Sequence, residues 1–169
     1  IDTLALPDLQ ALWALLARTD ILKIFHSGSQ DLEIFVQHTG ACPAPLFDTQ
    51  TAATLLGLGD QIGYAGLIEK LCGVTLDKSL TRTDWSRRPL TAAELDYAAL
   101  DVKYLAAIYP MLCDQLAAAG RLEWLQEDCA RQTNPDAYRL QPQDAWRRLK
   151  GLPRLPAKAQ MLAAALAAW

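Results

Sequence analysis

Histidine is nearly absent from this chain: His26 and His38 are its 2 imidazoles in 169 residues. A site built on several histidines is therefore poorly supported. Cysteine is present but scattered, since Cys42, Cys72, Cys113 and Cys129 form no C-x-x-C pair. Neither a zinc site nor a disulfide framework is expected, and reduced thiols are the simple reading. Long apolar runs are missing as well. A bilayer-spanning helix needs about eighteen such residues, and the alanine-rich stretch from Ala157 to Trp169 is shorter and carries Lys158 and Gln160. No membrane association is expected. Ile1-Asp2-Thr3 offers neither a basic start nor an apolar stretch, so no secretory signal is expected and the location reads as cytoplasmic. Nor is there a surplus of positive charge. A net charge of −3 argues against a chain that coats nucleic acid non-specifically. It leaves room for a local basic patch beside an acidic, metal-filled site.

What is present points to a folded protein. Hydrophobic residues make up 51% and charged residues 21%, which excludes a disordered chain and predicts a sizeable core. The length suits one domain with part of another. Because the first residue is Ile and the last residues lie in a mid-helix pattern, the chain is expected to be a piece of a longer protein.

Asp8 to Ala17 has apolar residues at helical spacing, with Pro7 at its start, and predicts an amphipathic helix. Ile21 to Phe25 is short, apolar and β-prone, so it predicts a strand. Ser29 is expected to cap a helix through His38, burying Leu32, Ile34, Phe35 and Val36, with Gly40 ending it. Leu46-Phe47-Asp48 reads as a short extended segment, with Asp48 holding the helix after it. Thr49 to Leu58 and Tyr64 to Cys72 are helical patterns. A polar stretch from Thr75 to Leu90 follows, then Thr91 and Glu94 form a capping box opening a helical region that runs to Gly120. Arg121 to Gln132 makes a further helix. Strands alternating with helices favour an α/β class. Leu9, Trp13, Phe35, Leu67 and Leu105 are assigned to the core.

Two constellations carry chemistry. Tyr97 and Asp101 are four apart on a predicted helix, so a phenol and a carboxylate share a face. A carboxylate holds a divalent cation and a neighbouring phenol orients the water it activates; the same spacing also arises by chance. Separately, the strand ending at Phe25 runs through His26-Ser27-Gly28-Ser29-Gln30 to Asp31, in the first turn of a helix. That is the sheet edge where α/β proteins bind ligands. An acid there also serves simply as a favourable partner of the helix dipole.

Taken in order, Asp31, then Phe47-Asp48-Thr49-Gln50, then Asp77-Lys78-Ser79, Asp84-Trp85 and Arg88-Pro89-Leu90, then Tyr97 and Asp101, resemble the ribonuclease D family. This is a tyrosine-bearing branch of the DEDD superfamily of 3′-5′ exonucleases, and the likeness covers nearly the whole chain. It implies a ribonuclease H-like α/β fold, here helix-rich with few strands because the N-terminal ones precede Ile1. It implies hydrolysis of RNA 3′ ends by two divalent ions, Mg²⁺ or Mn²⁺, spaced about 3.5–4 Å apart around the scissile phosphate. Asp101 matches the family's last metal-binding acid, Tyr97 the residue that orients the attacking water, and Asp31 the second-motif acid. The first motif, an Asp-x-Glu, is absent, and the 169-residue piece tested alone is expected to be inactive or nearly so. Residues 1–135 would be the exonuclease domain, 136–142 a linker, and 143–169 the incomplete start of a helical, HRDC-like nucleic-acid-binding domain.

Further residues divide evenly between two uses. Lys78, Arg82 and Arg88 meet RNA phosphates and Trp85 stacks a base, or they form a solvated loop anchored by a buried Trp. His26 either lines the site beside Asp31 and the nucleic acid or packs at the strand end. The expected partner is the 3′ end of single-stranded RNA, with tRNA precursors first in view. Two alternatives stand beside this: a DNA exonuclease or proofreading domain of the same superfamily, and a catalytically silent RNA-binding domain.

Overall fold

The computed structural model describes residues 1–139, 146 and 151–167. Its elements follow the polarity pattern, with boundaries moved by side chains that the pattern does not weigh. Helix α1 runs over Gln10–Leu16. It starts after Asp8 because that carboxylate accepts the Gln10 amide at 2.8 Å and so stands outside the first turn. Strand β1 is Lys23–Phe25, shorter than expected. The buried Lys23 ammonium turns back to the carbonyls of Arg18, Ile21 and Ala44 at 2.6, 2.8 and 2.5 Å. Its three protons are thereby matched to three acceptors, which is the condition for burying a lysine.

Helix α2, Ser29–Thr39, corrects the expected cap. Gly28 is the N-cap and Ser29 is already helical. The amides of Ser27 and Gly28 are taken by the Asp48 carboxylate from the neighbouring strand, at 3.1 and 2.9 Å. Ile34, expected inside, is 50% exposed, whereas Leu32 and Val36 are buried. Gly40 closes the helix in the left-handed conformation, φ 75, with its amide on the Val36 carbonyl.

Strand β2, Leu46–Asp48, pairs in parallel with β1, Lys23 opposite Leu46 and Phe25 opposite Asp48. This two-stranded sheet, with α2 as the crossover, is a βαβ unit. Helix α3 is Thr49–Leu55, ending before Leu58. The Gly57 and Leu58 amides fold back onto the carbonyls of Thr54 and Ala53, a Schellman closure. Helix α4 is Tyr64–Cys72, as the pattern predicts.

The helical region expected to run to Gly120 consists of two helices. Helix α5, Ala92–Lys103, opens on the Thr91–Glu94 capping box, and helix α6 is Leu105–Ala118. Helix α7 is Leu122–Gln132. Helix α6 lies against β1, α7 against β2, and α3 touches both of these helices. Leu32, Leu67, Ile108, Leu112 and Leu116 are fully buried between them. Of the five residues assigned to the core, only Leu67 is fully buried; Leu9, Trp13, Phe35 and Leu105 are partly exposed. Trp13 lies at the margin, edge-on to Phe35 and stacked on His38.

Beyond α7, Asn134 caps a short 3₁₀ turn over Pro135–Ala137. A second turn covers Leu152–Arg154, and α8 runs over Ala157–Ala167. Residues 140–142 of the expected linker, and residues 143–145 and 147–150 of the unit expected after it, lie outside the described residues. Among the described residues no helix is long and apolar enough to cross a membrane.

Candidate active site

The corner after β1 is fixed by buried polar chemistry. Besides the Ser27 and Gly28 amides, the Asp48 carboxylate accepts the Gln50 and Thr51 amides at 2.8 and 3.3 Å, capping α3. One buried carboxylate thus satisfies the entry to α2 and the start of α3 together. Ser27 holds φ 58, and a Cβ on Gly28 would meet the Phe25 Cβ at 2.8 Å. Only glycine fits that close approach. His26 is tied at both nitrogens, with Nε2 donating to the Ile62 carbonyl at 3.0 Å and Nδ1 2.9 Å from the Thr49 hydroxyl. Burial pushes its imidazole below the ordinary value, which favours the neutral ring. From this corner Asp31 projects on the first turn of α2.

Asp101 arrives from the other side, near the end of α5. Three residues on, the helix breaks at Tyr104. The Tyr64 hydroxyl donates to the Leu100 carbonyl at 3.0 Å and accepts the Tyr104 amide at 3.1 Å. Those two groups would bond each other in an uninterrupted helix. Asp31, Asp101, His26 and Tyr64 line one cleft of about 460 Å³, walled by Ile24, Phe25, Val102 and Leu105. Partial desolvation in the cleft pushes the carboxyls of both Asp31 and Asp101 above the ordinary aspartate value, with Asp48 adding repulsion at Asp31.

The remaining expected site residues separate. Tyr97 is half-buried one turn before Asp101. Its hydroxyl lies 3.0 Å from that of Thr81, and its ring is tilted against Trp85 at 5.7 Å. Trp85 therefore packs on the phenol. Lys78 and Arg82 are exposed, with no ion pair among the described residues. Arg88 differs from them. Its guanidinium grips Asp2 through two bonds of 2.7 Å and donates to the Trp85 and Arg87 carbonyls, so it is committed within the protein. Only its side of the fork beyond those four bonds is left for a phosphate.

Sequence patterning did not single out Tyr64, because a tyrosine opening a helix reads as ordinary packing. It did identify Asp48 as a cap for α3, but its reach to Ser27 and Gly28 depends on strand pairing. As donors, two carboxylates without a cationic partner among the described residues suit a hard divalent cation. They are two ligands only: among the described residues no three His, Cys, Asp or Glu side chains group as a metal site.

A family model described as 3′-5′ exonuclease matches residues 1–117. Ribonuclease D of Jannaschia sp. (strain CCS1) is 48% identical over 159 residues, 92% of this chain and 41% of that protein. The crystal structure of Escherichia coli RNase D, described as an exoribonuclease involved in structured RNA processing, superposes with TM-score 0.84 at 39% identity. It covers 97% of this chain and 45% of that one. Brucella melitensis NrnC with pGG bound gives TM-score 0.72 at 27% identity, over 87% of this chain and 70% of that one. The same protein with Mg²⁺ bound gives 0.68 at 28%, over 83% and 67%. The chain spans about two-fifths of the length of the curated relatives it matches. Its α/β architecture is that of the RNase D structures, helix-rich with two strands among the described residues.

Proposed function

The chain belongs to the 3′-5′ exonuclease family, on its ribonuclease D side, and from that premise we propose that it forms part of a 3′-5′ exoribonuclease. The substrate is the 3′ end of single-stranded RNA, with stable RNA precursors such as tRNA as the class. The observation that carries this reading is the shared cleft of Asp31 and Asp101, whose carboxylates arrive from separate elements with no cationic partner among the described residues. Asp31 and Asp101 would hold divalent metal, Mg²⁺ or Mn²⁺, which when bound supplies Lewis acidity toward a phosphodiester and an acidified water. Tyr97, one turn before Asp101 on the same helix, is assigned to orient that water. Lys78 and Arg82 are the cations assigned to the RNA backbone, with Trp85 bracing Tyr97. Residues 1–135 are assigned to the exonuclease domain and 143–169 to the start of a helical nucleic-acid-binding unit.

The test is degradation of end-labelled RNA and of a sequence-matched DNA by the full-length protein, with Mg²⁺ and with chelator. Stepwise 3′ shortening of RNA that stops in chelator is expected. Asp101→Asn should lower the rate ~10³-fold, the scale of several kcal/mol of transition-state stabilisation, while RNA binding persists. Full turnover in that variant overturns the assignment. Preference for DNA would redirect it to the DNA exonucleases, and RNA binding without turnover in the unaltered protein would make it a silent binding domain.

A further inference from the structure

We infer that Tyr64 is a positioning residue for Asp101, an inference that rests on the reading of Asp101 as a metal-holding carboxylate. The helical region from Thr91 to Gly120 is divided into two helices with Tyr104 between them. At the break, the Leu100 carbonyl and the Tyr104 amide are separated by a single inserted group, the Tyr64 hydroxyl. Asp101 follows Leu100 directly, so its backbone lies inside the segment that the insertion reshapes. A group that enters the i to i−4 ladder bends a helix and changes the direction of the side chains on that turn. The same ring meets His26 edge-on at 5.6 Å, and His26 donates to the Ile62 carbonyl two residues before Tyr64. Tyr64 thus touches both walls of the cleft: the corner that presents Asp31 and the helix end that presents Asp101. It acts through Asp101 and is assigned no contact with the phosphate.

Phenylalanine at this position keeps the ring and removes only the inserted oxygen, letting Leu100 and Tyr104 bond directly. In the full-length protein, Tyr64→Phe is expected to leave the KM for RNA unchanged and to lower kcat ~10-fold. It should also raise the dissociation constant for Mn²⁺, read by water-proton relaxation without substrate, ~10-fold; groups that orient metal ligands commonly count for this much. Asp101→Asn is measured beside it. Wild-type kcat and Mn²⁺ affinity in Tyr64→Phe next to an inactive Asp101→Asn overturns the inference and spares the function. So does a fall in kcat that only tracks lost folded protein, with Mn²⁺ affinity of the folded fraction unchanged. Full turnover by Asp101→Asn removes the functional reading, and this inference with it.

Discussion

The two carboxylates of the cleft are delivered by regions of opposite character. Asp31 comes from a corner in which the buried Asp48 carboxylate binds four amides, Gly28 touches Phe25, and both His26 nitrogens are occupied. Asp101 comes from a helix fastened at its two ends, by the Thr91–Glu94 capping box and by Tyr64. Between them the helix is poorly covered, with Leu95 55% and Val102 61% exposed. Buried, mutually satisfied polar groups make a corner whose geometry cannot change without unfolding. A helix held at its ends can shift at much smaller cost. One acid is therefore set by the stability of the fold, the other by a few specific bonds.

The largest expected effect tests the corner. Asp48→Ala orphans the amides of Ser27, Gly28, Gln50 and Thr51, and should cost about 3 kcal/mol or more in urea unfolding, since buried donors left without partners carry their full desolvation cost. A loss below about 1 kcal/mol would place the corner on the same footing as α5 and dissolve the contrast.

A smaller effect separates acids that hold the fold from acids that face the cleft. Both Asp31 and Asp101 titrate above the ordinary value through desolvation. Such a group favours the fold most below the unfolded value near 3.9, and that contribution is lost as pH rises through the raised folded value. Asp31→Asn and Asp101→Asn should therefore melt no lower than wild type at pH 7, with any gain shrinking toward pH 4. Thermal melts at both pH values check this. A drop in melting temperature for Asp31→Asn at pH 7 would show that its charge serves the corner.

The smallest effect lies in the loop before α5. Arg88 is paired with Asp2 at partial exposure, where solvent screens the contact and leaves it a minor contribution to stability. Arg88→Ala should lower the melting temperature slightly and leave the KM for RNA and its salt dependence unchanged, while Arg82→Ala raises that KM. The reverse ranking would move Arg88 to the binding surface.

Much of this was legible before folding. The α5 capping box, the Gly40 stop, the range of α4 and the β-prone segments all depend on neighbours within a turn or so, which a sequence displays directly. The order of the acids carried the family resemblance. Other features were not legible, because their partners are remote along the chain. Ser29 reads as a cap until Asp48, 20 residues beyond Gly28, takes the amides there. Arg88 reads as a phosphate ligand until Asp2, 86 residues away, claims it. Tyr97 and Asp101 share a helix face, yet the phenol finds Thr81 while the carboxylate faces the cleft.

The linear order of apolar, acidic and capping residues determined by itself which segments became helix or strand and where the candidate acids stand on them, because those properties arise from backbone and near-neighbour chemistry. Only the tertiary structure decided that Asp31 and Asp101 line one cleft, that Arg88 is spent on Asp2 and that Tyr64 opens the helix beside Asp101. Each of these needs two segments far apart along the chain brought together in space, and no local pattern records which distant partner will arrive.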